Sequence, residues 1–304
     1  MVTVSTCWST RALSVDIALT RLLTQGTTRA RVHSVFRHVI NVVTPAGQLI
    51  SLCGRDHDDA PWSLRADVDD WTEWGVQTGV MVQATHDGLT FPVGGPGISL
   101  TGAQAWDAAA TPMTANPTQL IARANELAGV ICAAGIPGGA LSGPAPDPFG
   151  ALVGERIRKG LADIAAGDLA GHANDVEAAA SSLLGLGPGL TPAGDDVLTG
   201  LALVVARPGS RATTVLPALR RVLQHHADRT TALSSATLSA ALDGRGRQRL
   251  LDLVDTLVSR DDTEAALLRV HAELVLGIGH TSGTDIACGV LAGIELEIQR
   301  RGFA

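Results

Sequence analysis

Two glycine-rich segments in the second half of the chain constrain its fold most strongly. The first, residues 185–200, reads Gly-Leu-Gly-Pro-Gly-Leu-Thr-Pro-Ala-Gly-Asp-Asp before an apolar run. Alternating glycines allow positive φ angles and a close approach of the backbone to a ligand. Thr191 followed by Pro192 predicts a helix start, with Thr191 as the N-cap. Because unpaired N–H groups at a helix start attract anions, this segment predicts an anion-binding turn.

The second segment, residues 277–289, reads Gly-Ile-Gly-His-Thr-Ser-Gly-Thr-Asp-Ile-Ala-Cys-Gly and resembles the first. Each contains glycine, one residue, aspartate, three residues and glycine. We infer a degenerate internal repeat, with two helix N-termini facing one ligand and glycines that allow the helices to pack closely. The alternative, a pair of ordinary helix-to-helix junctions without a ligand, stays open. The aligned pairs are Gly194 with Gly283, Asp196 with Asp285, and Gly200 with Gly289.

The residues of these turns are the candidate site. The acids and the one histidine are the expected catalytic groups, namely Asp195, Asp196, Asp285 and His280. The glycines, the hydroxyls and a neighbouring leucine are expected to bind the substrate anion, namely Gly187, Gly189, Leu190, Thr191, Gly194, Gly279, Thr281, Ser282, Gly283 and Thr284. Carboxylates repel anions, so they indicate either proton transfer or a divalent ion such as Mg²⁺ held by Asp196 and Asp285.

Two polar groups outside the turns are further candidates. Ser234 lies one helical turn after Thr230 in a hydroxyl-rich stretch, where such side chains either line a pocket or bond to their own helix. His33 and Ser34 open the first β-rich run, where they could face the helical domain. We include Ser234, His33 and Ser34 among the expected binding residues.

Common catalytic motifs do not fit the two segments. A P-loop needs a lysine, and the only lysine, Lys159, lies in neither segment. A dinucleotide fingerprint needs glycine where Leu190 stands, and it follows a strand rather than a helix. Ser282 is one place away from the position of a nucleophile elbow, which also follows a strand. We therefore expect neither a standard nucleotide site nor a serine hydrolase.

Composition excludes several classes of partner. The net charge of −7 and the 3% aromatic content argue against nucleic-acid binding. No apolar run is long enough to span a membrane, and charged residues interrupt the N-terminal apolar stretch, so we expect no membrane segment and no signal peptide. The four cysteines form no CxxC pair, which indicates reduced thiols. A cytoplasmic protein is the expectation.

The sequence pattern changes from strand-like to helical along the chain. Residues 10–25 have apolar residues at helical spacing, and short β-rich runs with turn signals follow up to about residue 100. After Pro117 the pattern is helical, interrupted by a Gly/Pro-rich loop at residues 137–148. We predict an α+β protein with a small antiparallel β-barrel or sandwich followed by an all-α domain. The expected divisions are a helical segment (1–29), the β domain (30–108) and the helical domain (109–304).

The core of the first turn resembles a known family. The residues Gly187-Pro188-Gly189-Leu190-Thr191-Pro192, followed by Gly194-Asp195-Asp196 and Gly200, are similar to the AllH-type subunit of oxamate carbamoyltransferase, an enzyme of allantoin degradation. The run Val32-His33-Ser34-Val35-Phe36 and the helix around Ser234 are also similar. The resemblance implies a complex with two larger subunits that transfers a carbamoyl group between carbamoyl phosphate and oxamate.

Three functions therefore stay open at this point. The chain is a carbamoyltransferase subunit that binds small anions at two helix N-termini, a non-catalytic anion-binding or assembly module, or an Asp-dependent hydrolase of the helical domain. The sequence does not decide whether the chain is itself an enzyme, and it identifies no certain cofactor.

Overall fold

The computed structural model describes residues 8–91, 95–141 and 148–303. They form two compact units, one ending at Ala108 and one beginning at Ala109. Cys7, residues 92–94 and half of the predicted Gly/Pro-rich loop (142–147 of 137–148) lie outside the described residues. No helix in the described part has both the length and the hydropathy needed to cross a membrane.

The first unit is a β-barrel, as the sequence predicts. Eight strands follow one another in the order β5-β4-β3-β2-β6-β7-β8-β1, and pairing of β1 with β5 closes the barrel, while β9 pairs with β1 outside this ring. The strands are β1 (Thr10–Asp16), β2 (Thr28–Val35), β3 (Val39–Val43), β4 (Leu49–Cys53), β5 (Ser63–Ala66), β6 (Met81–Thr85), β7 (Gly88–Thr90), β8 (Gly97–Ser99) and β9 (Gln104–Trp106).

The barrel is mixed rather than purely antiparallel. β1 runs parallel to both β8 and β9, and β4 runs parallel to β5, whereas the other pairings are antiparallel. Apolar side chains fill its interior, with Leu19, Ile40, Leu52 and Ile98 fully buried. Because closure pairs the first strand with the fifth, no exposed edge remains there.

The N-terminal segment differs from its prediction. Where helical spacing indicated one helix over residues 10–25, the structure has strand β1 followed by helix α1 (Ile17–Thr24). Asp16 forms the boundary, because its side chain accepts hydrogen bonds from Ala18 N (3.2 Å) and from Trp62 N (2.6 Å). A carboxylate at an N-cap starts a helix, and its bond to Trp62 fixes that start against the barrel.

The second unit is helical and contains no β-sheet among its described residues, beyond one isolated bridge between Ala109 and Arg245. Its helices are α2 (Pro117–Ala134), α3 (Pro148–Leu169), α4 (Ala173–Leu183), α5 (Ala193–Val205), α6 (Leu216–His226), α7 (Ala232–Leu242), α8 (Gln248–Val258), α9 (Asp262–Ala265), α10 (Leu268–Leu276) and α11 (Ser282–Arg300).

Helices α5 and α11 pack at the centre of this unit through glycines. A Cβ atom added at Gly289 would lie 2.0 Å from the carbonyl oxygen of Val197, and one added at Gly200 would lie 2.1 Å from that of Ile286. No real Cβ approaches backbone so closely, so only glycine permits this crossing. All thirteen residues of α5 are buried, and its N-terminus is thereby held beside that of α11.

The packing predicts the cost of a single methyl group at the crossing. Replacing Gly289 by alanine should lower the free energy of unfolding by ~1–3 kcal/mol, because the added atom forces two backbones apart. The matched control is Gly129→Ala in α2, where the added Cβ meets nothing within 4 Å. At that position alanine should raise the free energy of unfolding by up to ~1 kcal/mol, because alanine has a higher helix propensity than glycine. Urea unfolding of both variants is the measurement, and equal stabilities would contradict the packing account.

Candidate functional site

The first glycine-rich turn, residues 185–192, leads from α4 into α5. Gly187 and Gly189 have φ angles of +110° and +103°, which side chains rarely adopt. The amide of Gly194 donates to the carbonyl of Leu186 (2.8 Å) and closes the turn. The alternating glycines are therefore required for conformation, as their pattern predicts.

The predicted N-cap of α5 is wrong by one residue. Pro192 occupies the cap position, and its carbonyl accepts from the amides of Asp195 (2.9 Å) and Asp196 (3.1 Å). Thr191 does not cap the helix, because its hydroxyl instead hydrogen-bonds the hydroxyl of Ser282 at 2.8 Å. That bond joins the first turn directly to the start of α11, so the side chain that sequence reasoning assigned to capping connects the two repeats.

The second turn, residues 277–281, repeats the geometry of the first. The amide of Gly283 donates to the carbonyl of Ile278 (3.0 Å), as Gly194 does to Leu186. A Cβ at Gly283 would lie 2.0 Å from the carbonyl of Val275, and one at Gly194 would lie 2.0 Å from that of Leu183. The aligned glycines thus occupy equivalent positions, which supports the inferred internal repeat.

The helix crossing has the same internal symmetry. In the aligned register Val197 corresponds to Ile286, and Gly200 corresponds to Gly289. Gly200 approaches the carbonyl of Ile286, and Gly289 approaches the carbonyl of Val197. The two contacts therefore exchange when the repeats are exchanged, which indicates a local two-fold relation between the starts of α5 and α11.

Asp195 is buried, and both of its carboxylate oxygens accept hydrogen bonds. Its Oδ1 accepts from the amide of Gly185 (2.7 Å), and its Oδ2 accepts from the hydroxyl of Thr230. Burial raises its pKa, while these bonds, the nearby Ser234 hydroxyl and the Arg229 charge oppose the rise. Through these two bonds Asp195 holds the turn against the segment before α7. Its predicted catalytic role stays a prediction.

Asp196 has a different environment on the same helix. It is 5% exposed, and its Oδ2 has no hydrogen-bond partner in the described part of the chain. Burial raises the pKa of Asp196 to about 8. The neighbouring Ser282 and Thr191 hydroxyls oppose this rise, and the charge of Asp285 adds to it. Asp196 is therefore largely protonated at neutral pH, and a protonated carboxyl can donate a hydrogen bond to an anion.

Asp285, the repeat partner of Asp196, is fully buried. Its Oδ1 accepts from the amide of Ala140 (2.6 Å), and its Oδ2 has no partner among the residues described. Burial raises the pKa of Asp285 to about 6, against hydrogen bonds from Ala140 and Thr281. The charge of Asp285 contributes to the raised pKa of Asp196.

The segment Ile136–Ala140 is a part of the site that sequence reasoning missed. The amide of Ile136 donates to the Thr284 hydroxyl (2.9 Å), and a Cβ at Gly139 would lie 2.1 Å from Asp285 Oδ1. Only glycine therefore lets this segment cover Asp285. The Gly/Pro-rich composition of the loop was a signal of function, but no spacing rule linked it to a helix start 145 residues away.

The turns also present unpaired backbone donors. In the described structure the amides of Gly189, Leu190 and Thr191 donate to no other group, nor do those of His280 and Thr281. Neither α5 nor α11 has a side-chain cap. The turns before α5 and α11 therefore keep these N–H groups available, whereas the first-turn amides of Gly194 and Gly283 already donate to carbonyls.

The hydroxyl cluster before and within α7 borders the first turn. Thr231 caps α7 by accepting from Ser234 N (3.1 Å), and its hydroxyl donates to the carbonyl of Leu190 (2.7 Å). Ser234 is 3% exposed, and its hydroxyl has no hydrogen-bond partner in the described chain. This hydroxyl lies beside Asp195 and lowers its pKa, and the pocket-lining role of Ser234 stays a prediction.

The remaining candidate residues are mostly exposed. His280 is exposed and contacts no described charged or hydrogen-bonding group. Leu190 is 60% exposed. His33 and Ser34 belong to strand β2 of the barrel, where Ser34 accepts from Asn41 Nδ2 (3.0 Å) and His33 is exposed. Their predicted contribution to the site stays a prediction.

No metal centre is evident in the described residues. No three His, Cys, Asp or Glu side chains there come together in a way that could hold a metal ion. Asp196 and Asp285 supply two carboxyl groups, the number that Mg²⁺ often takes from a protein when phosphates complete its shell. The raised pKa of Asp196 opposes that use, since a metal ligand must be ionised.

A groove of about 820 Å³ lies between α3 and α4, and its lining includes Arg156, Lys159 and Asp163. It contains none of the predicted site residues. The only lysine is thus placed in the groove, where it forms an ion pair with Asp163.

Two family models match the chain. The model described as oxamate carbamoyltransferase subunit AllH matches residues 183–294, a range that includes both glycine-rich turns. The model described as AllH family N-terminal domain matches residues 11–105, which include the barrel. The two matches together cover most of the chain, and no solved structure matches it.

The buried acids predict a pH dependence of stability. Because the folded pKa of Asp196 is raised to about 8, the folded chain keeps a proton that the unfolded chain loses above pH ~4. The free energy of unfolding should therefore fall as pH rises through this range, and fall no further from this cause above about pH 8. Asp285 contributes to this fall in the free energy of unfolding only up to about pH 6.

Urea unfolding between pH 6 and 8 isolates the contribution of Asp196. The Asp196→Asn variant should lose less stability than the wild type over this interval, because asparagine does not titrate. The control Asp163→Asn, at a half-exposed carboxylate on α3, should keep the wild-type slope. Identical slopes for the wild type and Asp196→Asn would show that this carboxyl is ionised throughout.

Proposed function

The chain belongs to the AllH family, and we propose that it works as a subunit of a carbamoyltransferase complex. Its substrates would be carbamoyl phosphate and a small carboxylate such as oxamate, and its partners two larger subunits. A cytoplasmic location is part of this proposal. The observation that carries it is the pair of glycine-rich turns with unpaired amides, which lie within the match to the oxamate carbamoyltransferase subunit model.

The chemistry of the turns suits small anions. Carbamoyl phosphate and oxamate are both anionic, and helix N-termini with unpaired N–H groups bind such groups well. Several amides at Gly189, Leu190 and Thr191 are free to donate, and the hydroxyls of Thr191 and Ser282 lie beside them. Donors fixed by the backbone need no reorganisation when a ligand arrives, which favours binding.

The protonation of Asp196 removes one of the two negative charges that would repel an anion. With its pKa at about 8, Asp196 is mostly neutral at pH 7 and would donate a hydrogen bond to a ligand oxygen. Asp285, with its pKa at about 6, is mostly ionised at that pH and would accept one. We propose that the two acids hold and orient the ligand, with no metal ion required.

A non-catalytic role in binding or assembly is the second candidate. His280 is exposed and has no polar partner in the described chain, and burial raises the pKa of the Cys288 thiol to about 12. A thiol with that pKa is almost entirely protonated at pH 7 and is a poor nucleophile. In this case the chain supplies the anion site, and its partners supply the reaction.

Reconstitution separates these roles. The purified chain alone should transfer little or no carbamoyl group from carbamoyl phosphate to oxamate, and activity should appear when the two larger subunits are added. Phosphate released by the chain alone would instead favour an Asp-dependent hydrolase. Full transfer activity of the chain by itself would contradict the subunit proposal.

Two substitutions at Asp196 test its role in binding. Asp196→Asn keeps a hydrogen-bond donor, so phosphate affinity at pH 7 should stay within about threefold of the wild type. Asp196→Ala removes the donor, and affinity should fall by roughly 10- to 100-fold, as expected for a hydrogen bond to a charged group. Calorimetric titration with phosphate is the measurement, and melting temperatures show whether each variant is folded.

The same titration distinguishes proton-based binding from metal-based binding. Repeating it with Mg²⁺ and with a chelator should give the same affinities for the wild type. A strong dependence on Mg²⁺, together with loss of binding in Asp196→Asn, would contradict the neutral-donor role and favour a divalent ion held by Asp196 and Asp285.

A further inference from the structure

One exposed face of α3 has the residue spacing of a seam between two helices. Its members follow one another at intervals of four, three, four, three and four residues. Spacing that alternates between three and four residues keeps side chains on one line where two helices pack together. The helical geometry continues to the last member, because the amide of Ala170 donates to the carbonyl of Ala166 (3.0 Å). The six residues of this seam, all exposed, are Leu152, Arg156, Lys159, Asp163, Ala166 and Ala170.

The seam forms one wall of the groove between α3 and α4. All of its residues except Leu152 line this groove of about 820 Å³, and Asp175 and Ala178 line it from α4. The two helices pack closely, since a Cβ added at Gly160 would lie 2.6 Å from Leu183 Cδ2. Because alanines line both walls, the groove has room for side chains of a third helix.

The charges of the groove are ordered along α3. Arg156 and Lys159 come first, and Asp163 follows toward the C-terminal end. Lys159 forms an ion pair with Asp163, whereas Arg156 has no hydrogen-bond or ion-pair partner in the part of the chain that the structure describes. Asp175 of α4 lies at the C-terminal end, because a Cβ added at Gly167 would be 3.2 Å from Asp175 Cβ. The groove therefore has a basic end and an acidic end.

We propose that this face is the interface between two copies of the chain. The α3 helix of each copy lies antiparallel to that of the other, about a two-fold axis between Lys159 and Asp163. Knobs-into-holes packing requires that a long side chain of one helix meets a small or oppositely charged residue of the other. In this register each long side chain of the seam does so: Lys159 faces Asp163, Arg156 faces Ala166, and Leu152 faces Ala170.

Charge selects this orientation and makes the face complementary to itself. In a parallel pair, Arg156 and Lys159 would face their own counterparts, and like charges would oppose one another. In the antiparallel pair, Arg156 reaches the acidic end of the other copy's groove. There Asp175 Oδ2 lies 3.2 Å from His172 Nδ1, while Asp175 Oδ1 has no partner among the residues described. The same pair of guanidinium and carboxylate forms twice, once on each side of the axis, as an isologous interface requires.

This interface goes beyond the proposed function and does not depend on it. The lining of the groove includes no residue of the two glycine-rich turns, so the dimer does not use the anion site. Single exposed leucines are common on protein surfaces, and Leu152 alone would indicate nothing. The register that Leu152 shares with the charged residues and alanines of the seam is what supports a second copy as the occupant.

Sedimentation of the full chain over a range of concentrations tests the interface. The wild type should have twice the mass of one chain. Arg156→Glu should raise the dimer dissociation constant at least tenfold, because it places a carboxylate near Asp175 of the other copy. Arg156→Glu combined with Asp175→Arg restores opposite charges and should return the constant to within threefold of the wild type. The matched control, Arg269→Glu on α10, has a side chain 64% exposed outside the groove and should change nothing.

A cross-link tests the antiparallel register. In a background with the exposed Cys132 replaced by serine, the double variant Leu152→Cys/Ala170→Cys should form a covalent dimer with a short bis-maleimide linker. Each new thiol faces the other kind across the axis, whereas within one chain the two positions are about 27 Å apart along the helix. The background protein and each single variant, treated in the same way, should not be cross-linked.

The outcomes decide between a second copy and other occupants. A wild-type chain that is monomeric at every concentration would overturn the inference. So would a dimer whose dissociation constant is unchanged in Arg156→Glu, or is not restored by Asp175→Arg. Cross-linking of Leu152→Cys to a larger subunit of the assembled complex, without dimers of the chain, would assign the face to that subunit. The substituted residues are exposed, so every variant should fold, which melting temperatures check.

Discussion

The close crossing of α5 and α11 is the constraint on which the rest of the helical unit depends. Gly200 and Gly289 allow each helix to approach the other's backbone carbonyls directly. Because the glycines lie four residues after Asp196 and Asp285, the contact between them sets the positions of both acids. The Thr191–Ser282 hydrogen bond then becomes possible, and two helix starts that are distant in sequence form one polar cluster inside an apolar unit.

Burial dominates the electrostatics of this cluster. A helix N-terminus favours an ionised aspartate by up to ~2 kcal/mol, whereas a rise in pKa from 3.8 to about 8 at Asp196 corresponds to several kcal/mol in the opposite direction. Desolvation therefore exceeds the helix dipole, and the carboxyl keeps its proton. The same position that is typical of a capping acid thereby becomes a neutral hydrogen-bond donor.

The sequence was most informative where a residue type has a single physical use. Glycines at positive φ, the Gly-x-Asp repeat and the change from strands to helices each correspond to what the structure shows. The prediction of a helix over residues 10–16 was wrong, because Leu13 and Ile17 have the four-residue spacing of a helix face although Leu13 lies in β1 and Ile17 in α1. Thr191 was misassigned because its partner, Ser282, is 91 residues away. Local spacing cannot report that contact, nor the contact of Ala140 with Asp285.

The parallel strand pairings of the barrel could not be predicted from the sequence either. Turn signals predict hairpins between neighbouring strands, but the pairing of β1 with β8 and β9 joins segments more than 80 residues apart. Membership of the AllH family connects the barrel and the helical unit in one chain, and the site proposed here lies wholly within the second of them.

The most direct test of the anion site is the change in backbone amide chemical shifts when inorganic phosphate is added to the isotopically labelled full chain. The account predicts large shifts at Gly189, Leu190 and Thr191, smaller ones at His280 and Thr281, and little change in the groove that contains Lys159. Shifts confined to that groove, or no shifts in the glycine-rich turns at saturating phosphate, would contradict it.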